Sequence, residues 1–590
     1  MPLEDLTSGT EGRAKTVFSG TEVEDFPVEI IDIIENEMNN NLILIKARGE
    51  KIDEVGGIAA GMSGSPVYVD NKLIGAIAYG WEDVKDNYAM VTPINRMLDL
   101  LENDNMQSSK ANKMINETDE PPLNTPLVIN GLEGRALERV KKELTSSDPE
   151  VLPGSKLKKE VDSYNLEPGS AVAVQLVRGD IDVASLGTLT YIDNNKILAF
   201  GHPFTNKGSV NFLLSGAYIN SIISSENQPF KLGTPFKELL GIIKADRGAG
   251  IAGILKQYPY IVPLTVKVKD EDRGTETTTR VQLIKDDSLL PALGNNIALQ
   301  AVDNTIDRIG RGTAKSRIKI MGKEIPDLTL EKQNLFYSTE DIAMTALTDF
   351  TQVLNIFSSN PFKNAEILDI VFELEISSQD KTALIQEAKV LNDSVSPGDT
   401  LDIELTLHPY RKDEFSKIIS VDLPEDMNQG MANIVITGGF INSYNEVPQD
   451  HESEDYEIKQ NQITGYKDFE SIIEDYLDTP KNNELIIQVY PGQDFAGDES
   501  EVYENSPETE EPDYNEGKEN GNIEDQEPSD EEQPDFVPPA PDREDTDSEK
   551  IQKTVKTEYV LEGDLNLQVK VENGNTGNSS DKGIEEEDDD

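Results

Sequence analysis

The tightest constraint on this chain is a six-residue turn, Gly61-Met62-Ser63-Gly64-Ser65-Pro66, set between apolar runs too short to be helices. Two glycines three positions apart allow backbone angles closed to other residues. Pro66 suits the first position of a strand. Downstream, Val67-Tyr68-Val69, the polar turn Asp70-Asn71-Lys72 and Leu73–Tyr79 read as a β-hairpin. A turn of this kind exposes a serine hydroxyl. It also aims neighbouring backbone N–H groups at one point, as a nucleophile needs if a developing oxyanion is to be held. Ser63 is therefore the candidate nucleophile, and the N–H groups of Gly61 and Ser63 are the candidate oxyanion donors.

The surroundings are β-rich. Residues 1–105 read as a nucleophile-bearing β half, with strands at Lys15–Phe18, Val28–Ile33, Leu42–Ile45 and Tyr88–Val91. Thr92-Pro93 then opens a short helix carrying Ile94, Met97, Leu98 and Leu101 at helical spacing. Residues 106–165, with Pro121-Pro122, form a polar linker holding a short helix near Leu137–Leu144. A second β-rich block covers 166–337, with strands at Ala171–Val177, Gly187–Tyr191 and Ile261–Val268. Residues 338–493 begin with a helix over 338–358, started by Ser338 and Asp341. Strands follow at 366–376, 399–409 and 432–436, so a β-sandwich-like accessory domain is expected. The acidic, Pro-rich stretch 494–550 is predicted to be disordered. Residues 551–572 hold a returning strand or hairpin, and 573–590 form a disordered acidic tail.

Charge narrows the partners. The formal net charge is −59, and the last 100 residues supply −27 of it, with 34 Asp and Glu against 7 Lys and Arg. Such a polyanion is repelled by nucleic acid and by anionic membrane surfaces. There is no cysteine, hence no disulfide framework, and no apolar run long enough to span a bilayer. Met1–Asp5 has neither the basic nor the apolar region of a secretory signal.

A serine nucleophile needs a base, and the chain has three histidines. His451 lies in an acidic linker, and His408 ends an accessory strand before Pro409. His202 stands apart in Ala199-Phe200-Gly201-His202-Pro203-Phe204, where Gly201 and Pro203 define a turn at a strand end. An imidazole presented there can take the serine proton near neutral pH. Asp270-Glu271-Asp272 and Asp588-Asp589-Asp590 lack the spacing of a calcium loop. No zinc spacing or phosphate-cradling glycine loop is present, so no metal and no cofactor are expected.

The ordered set of turn, hairpin, strand at Tyr88–Val91 and short helix resembles the chymotrypsin-like serine peptidases. That resemblance implies that Ala78-Tyr79-Gly80 pairs with substrate backbone as an added strand. More narrowly, residues 14–100, with Val55-Gly56-Gly57-Ile58-Ala59-Ala60 leading into Gly61–Pro66, resemble the nucleophile half of the SpoIVB-type serine peptidases. Residues 186–255, with Leu186–Asp193, Phe200-Gly201-His202, Gly241-Ile242-Ile243 and Gly250–Gly253, resemble its histidine half.

The resemblance implies a mainly β, two-barrel chymotrypsin-like unit followed by the helix and accessory region. Its implied activity is a serine endopeptidase that cuts a protein or peptide substrate, with Ser63 as nucleophile and His202 as base. An extracytoplasmic or cell-surface location is favoured by the same likeness. The chain departs from the sporulation enzyme in carrying the serine half first, in lacking a PDZ-like segment, and in having Arg48 where the family places its triad acid. Asp246, Asp53 and Glu50 are the replacement candidates. Arg48 also keeps open an inactive relative that binds extended peptides. A surface protein working through its C-terminal region is a further alternative.

Overall fold

The computed structural model describes residues 3–35, 41–80, 87–102, 127–144, 151–153, 164–225, 229–439, 466–491 and 550–572. Most of the predicted linker, the acidic stretch up to residue 549, the 573–590 tail and His451 lie outside them. The fold is mainly β. The chain divides into two compact units. The first comprises Met1–Thr382, Ser443–Asn483 and Glu558–Val560, and the second comprises Ala383–Asn442, Glu484–Thr557 and Leu561–Asp590.

The first unit opens with a closed six-stranded barrel. Its strands are β1 (Glu11–Thr16), β2 (Glu24–Ile34), β3 (Leu42–Ala47), β4 (Pro66–Val69), β5 (Lys72–Tyr79) and β6 (Tyr88–Pro93). They run in the order β1-β2-β3-β6-β5-β4, and β4 pairs back onto β1. Alternation decides which face is inside: Phe26, Val28 and Ile30 of β2 are buried, while Asp25 and Pro27 face solvent. With Ile43, Ile45, Val67, Val69, Ile77 and Val91 they fill the barrel. Each such side chain contributes about 1.5–3 kcal/mol by leaving water. Strand β5 does not alternate, because Ile74–Tyr79 are all buried. Its outer face is covered by the helix α2 (Ile94–Glu102) and by the second sheet, where Ala76 and Met97 meet Leu198, Ala245 and Ala252. A short helix, α1 (Glu50–Val55), leads into the Gly61–Pro66 turn.

Between barrel and sheet come β7 (Leu127–Asn130), helix α3 (Gly134–Leu144) and β8 (Val151–Pro153). The sheet then adds β9 (Ala171–Gly179), β10 (Asp182–Asp193), β11 (Lys196–Ala199), β12 (Gly208–Ile223), β13 (Phe230–Arg247) and β14 (Gly250–Leu255). It is completed by β15 (Ile261–Asp270), β16 (Thr275–Ile284), β17 (Gly312–Gly322), β18 (Thr329–Ser338) and β19 (Ile367–Ser377). These strands form a 13-stranded sheet, ordered β18-β17-β19-β15-β16-β9-β12-β13-β14-β11-β10-β7-β8. The further pairing of β9 with β10 closes β9-β12-β13-β14-β11-β10 on itself, so the histidine-bearing strands make a second barrel from which the sheet extends. Helix α4 (Leu290–Ile306) packs on β15 and β16.

The β12–β13 hairpin matters most for the site. Its pairing shifts register four times along its length. Each irregularity bends the ribbon, and the tip reaches the barrel, where Ile219 pairs with Gly20 and Phe230 with Ala60.

The helix expected over 338–358 is two helices, Ile342–Thr345 and Thr348–Ser359, inside the first unit. Ser338 ends β18 and its Oγ accepts from the N–H groups of Glu340 and Asp341, while the Asp341 carboxylate caps the first helix at Met344 N. The anticipated apolar face is buried, with Phe350 stacked on Phe372 of β19 at 4.4 Å. Strand β19 therefore joins the large sheet instead of an accessory sandwich. The second unit holds a four-stranded sheet built on Thr400–Pro409 and a five-stranded sheet built on Gly430–Gly438. The returning segment is no hairpin: Val560–Glu562 enters the first of these sheets and Asp564–Val571 the second.

Candidate active site

Every carbonyl of the turn from Gly61 to Gly64 is held. Thr188 of β10 does most of this, its Oγ1 donating to Gly61 O at 3.0 Å and its N–H to Ser63 O at 2.7 Å. Met62 O accepts from Ser65 N, and Gly64 O accepts from Thr190 Oγ1 at 2.8 Å. The N–H groups divide into two sets. Met62 donates to Ala59 O, Gly64 to Ile77 O and Ser65 to Met62 O, whereas those of Gly61 and Ser63 meet no acceptor among the described residues. Two unpaired donors flanking one buried serine are what an oxyanion site requires.

The turn tolerates no side chain at residue 64. Gly64 has φ +93°, and a Cβ there would lie 2.0 Å from Thr188 O and 2.5 Å from Phe200 N, both backbone atoms. Gly64→Ala is expected to cost about 1–2 kcal/mol in backbone strain and about 1–3 kcal/mol more in overpacking. Chemical denaturation of the full chain checks this.

The histidine turn is strained in its own way. Phe200 has φ +69°, unusual for a bulky residue, and Gly201 N–H closes back onto Ala199 O at 2.9 Å. Such a conformation persists only where its surroundings over-determine it. They do here. Phe200 is fully buried, its N–H bonds Thr188 O, and Thr92 Oγ1 of β6 donates to Gly201 O at 2.6 Å.

The two turns meet. His202 Nε2 lies 2.9 Å from Ser63 Oγ, and His202 Nδ1 lies 2.7 Å from the carbonyl oxygen of Pro203. A carbonyl accepts only, so Nδ1 carries the proton and Nε2 presents its lone pair to the hydroxyl. The imidazole sits between the Tyr79 and Phe200 rings, with centroids at 6.3 and 6.2 Å. Burial lowers its pKa to about 4, against the raising effect of the Pro203 carbonyl. Ser63 and His202 are 0% and 1% exposed, so both side chains are enclosed by the surrounding chain.

The acid candidates sit as follows. Asp246 of β13 is fully buried and grips the turn after the histidine, accepting from Phe204 N at 2.7 Å and from Thr205 N and Oγ1 at 2.6 and 2.7 Å. Burial raises its pKa, and these hydrogen bonds oppose the rise. Asp53 and Glu50 are exposed on α1, with Asp53 accepting from Asn87 Nδ2. Arg48 pairs with Glu29 on the barrel surface. Ala78 and Tyr79 end β5 beside the histidine turn, and Gly80 follows half-buried. The β4 side of β5 is paired as far as Ile77, through Ser65 O and Gly64 N.

Residues 5–98 match the family model described as SpoIVB peptidase S55. This segment is similar to the SpoIVB peptidase S55 family. The match takes in the barrel, the Gly61–Pro66 turn and most of α2, and it ends before His202. No match was found among curated proteins or among solved structures. The S55 likeness supports a serine peptidase in general and a protein as its substrate.

Sequence reasoning missed Thr92, Thr188, Thr190 and Lys231. Thr188 and Thr190 left a faint signal, two hydroxyls at alternate positions of the run Leu186–Tyr191, hence on one face.

Proposed function

We propose that this S55 relative is a serine endopeptidase acting through an acyl-enzyme, with Ser63 as nucleophile and His202 as base. The observation carrying it is the 2.9 Å approach of His202 Nε2 to Ser63 Oγ, in a turn where the N–H groups of Gly61 and Ser63 meet no acceptor among the described residues. The Oγ attacks a peptide carbonyl and its proton passes to Nε2. The new C–O bond forms as the carbonyl oxygen becomes an oxyanion held by the two N–H donors. The C–N bond then breaks, the amine leaving with the proton from Nε2, and water hydrolyses the ester by the same relay in reverse. Pro203 O takes the orienting role that a carboxylate fills in other triads, and Asp246 fixes the turn that carries Pro203. Substrate backbone would pair with Ala78-Tyr79-Gly80, where β5 runs past the end of β4.

The pH dependence tests the base. Only the neutral ring accepts the proton, so activity falls as pH drops through the pKa of His202. With that pKa lowered to about 4 by burial, hydrolysis of p-nitrophenyl acetate by the full chain should hold down to about pH 5, below the range of an ordinary histidine near 6.5. A limb centred at 6.5 or above argues against the buried imidazole as base; His202→Gln should abolish the limb.

The same shift bears on stability. The unfolded chain binds the His202 proton below about 6.5 and the folded chain only below about 4, so folding stability declines as pH falls through that window.

A further inference from the structure

Behind the turn lies a charged group that the relay does not use. Lys231, second residue of β13, is 0% exposed. Its Nζ donates to Thr16 Oγ1 at 2.6 Å and to Thr188 Oγ1 at 3.4 Å. Its N–H donates to Ala60 O at 2.9 Å, and its stem runs along Gly61, where an added Cβ would come within 3.1–3.4 Å of Cβ, Cγ and Cδ. A buried amine is expensive to desolvate. Burial lowers its pKa to about 7.

The connections converge on one peptide donor. Ala60 O and Gly61 N–H belong to the same planar peptide, so the bond from Lys231 N to Ala60 O turns the Gly61 N–H away from the hairpin. On the far side of Gly61 the carbonyl is held by Thr188 Oγ1, and Nζ donates to that same oxygen. A hydroxyl that accepts from Lys231 is left to donate its one proton to Gly61 O. Lys231 therefore braces the peptides on both sides of Gly61, through its backbone on one side and through Thr188 on the other.

We infer that Lys231 is a positioning residue for the oxyanion donor of Gly61, acting through Thr188 and touching neither substrate nor Ser63. The assignment rests on the peptidase reading given above. Lys231→Met keeps the backbone bond and most of the stem, and removes only Nζ.

The test uses the full chain and a fluorophosphonate probe. In the labelling step Ser63 Oγ forms an O–P bond, fluoride leaves and the Oγ proton passes to His202. The rate constant of labelling at saturation and the probe concentration for half-saturation are read separately. For Lys231→Met the expected result is a 10- to 100-fold lower labelling rate, about the loss of part of one oxyanion donor. Half-saturation should move less than threefold, and thermal stability should be equal or higher because a buried amine has been removed. Thr188→Val should lower the rate similarly, and the double variant should lower it little further, since the two act in series.

A residue that only packs the core would leave the rate alone. Should wild type label and both single variants label within twofold of it, the Lys231 assignment is overturned and the peptidase reading stands. Should wild type itself not label, the peptidase reading falls and takes the assignment with it.

Discussion

Replacing Ser63 by alanine is expected to lower p-nitrophenyl acetate turnover by a factor on the order of 10⁴–10⁶, whereas Ser65→Ala leaves it within about twofold. The two serines are two residues apart and both fully buried. Only Ser63 has the imidazole 2.9 Å away. The Ser65 Oγ meets no hydrogen-bond partner among the described residues, so its removal leaves nothing newly unsatisfied and should be neutral or slightly stabilising. Steady-state turnover with a denaturation curve for each variant checks both halves. Equal losses from the two substitutions would mean that the turn, and not one hydroxyl, is what matters.

Asp246→Ala should act on both stability and turnover. It strips the acceptor from Phe204 N, Thr205 N and Thr205 Oγ1. A buried donor left unpaired costs about 1–3 kcal/mol. Relief from burying the carboxylate offsets part of this, leaving a net loss of about 3 kcal/mol. Turnover should fall further than stability explains, by about 10²-fold, because a shift of an ångström in the histidine turn misaligns the base. Asp246→Asn keeps one acceptor oxygen and should recover part of both. Urea denaturation at neutral pH gives the first number and turnover at a temperature where the variant stays folded gives the second. If Asp246→Ala melts like wild type and turns over normally, Asp246 does not hold the turn.

The local features of this site were legible because local chemistry dictates them. Gly61 and Gly64 announce a turn that only glycine can make, at φ +89° and +93°. Gly201 and Pro203 announce the second turn, and alternation in β2 announces a face that must be buried. Pairing across long separations left no such mark. Strand β15 lies parallel to β19, with Lys267 bonded to Glu373 106 residues away, and nothing in either segment names the other. For that reason the sequence suggested two barrels but not the sheet that extends the second of them through β16, β15, β19, β17 and β18.

Context also decides what a charged residue does. Lys231, between Phe230 and Leu232, reads as an ordinary outward-facing strand lysine. It becomes a buried brace only because register shifts bend the β12–β13 hairpin onto the nucleophile turn. Asp246 was nameable as a candidate acid from its charge, but the backbone of residues 204 and 205 that it grips is visible only once β13 is folded beside it.

The central claim is that Ser63 is activated by His202, and the most direct measurement is peptide mapping by mass spectrometry of the full chain after fluorophosphonate treatment. The account expects one adduct, on the peptide containing Ser63, lost in Ser63→Ala and strongly reduced in His202→Gln. An adduct elsewhere with Ser63 unmodified, or labelling of Ser63 undiminished in His202→Gln, would contradict it.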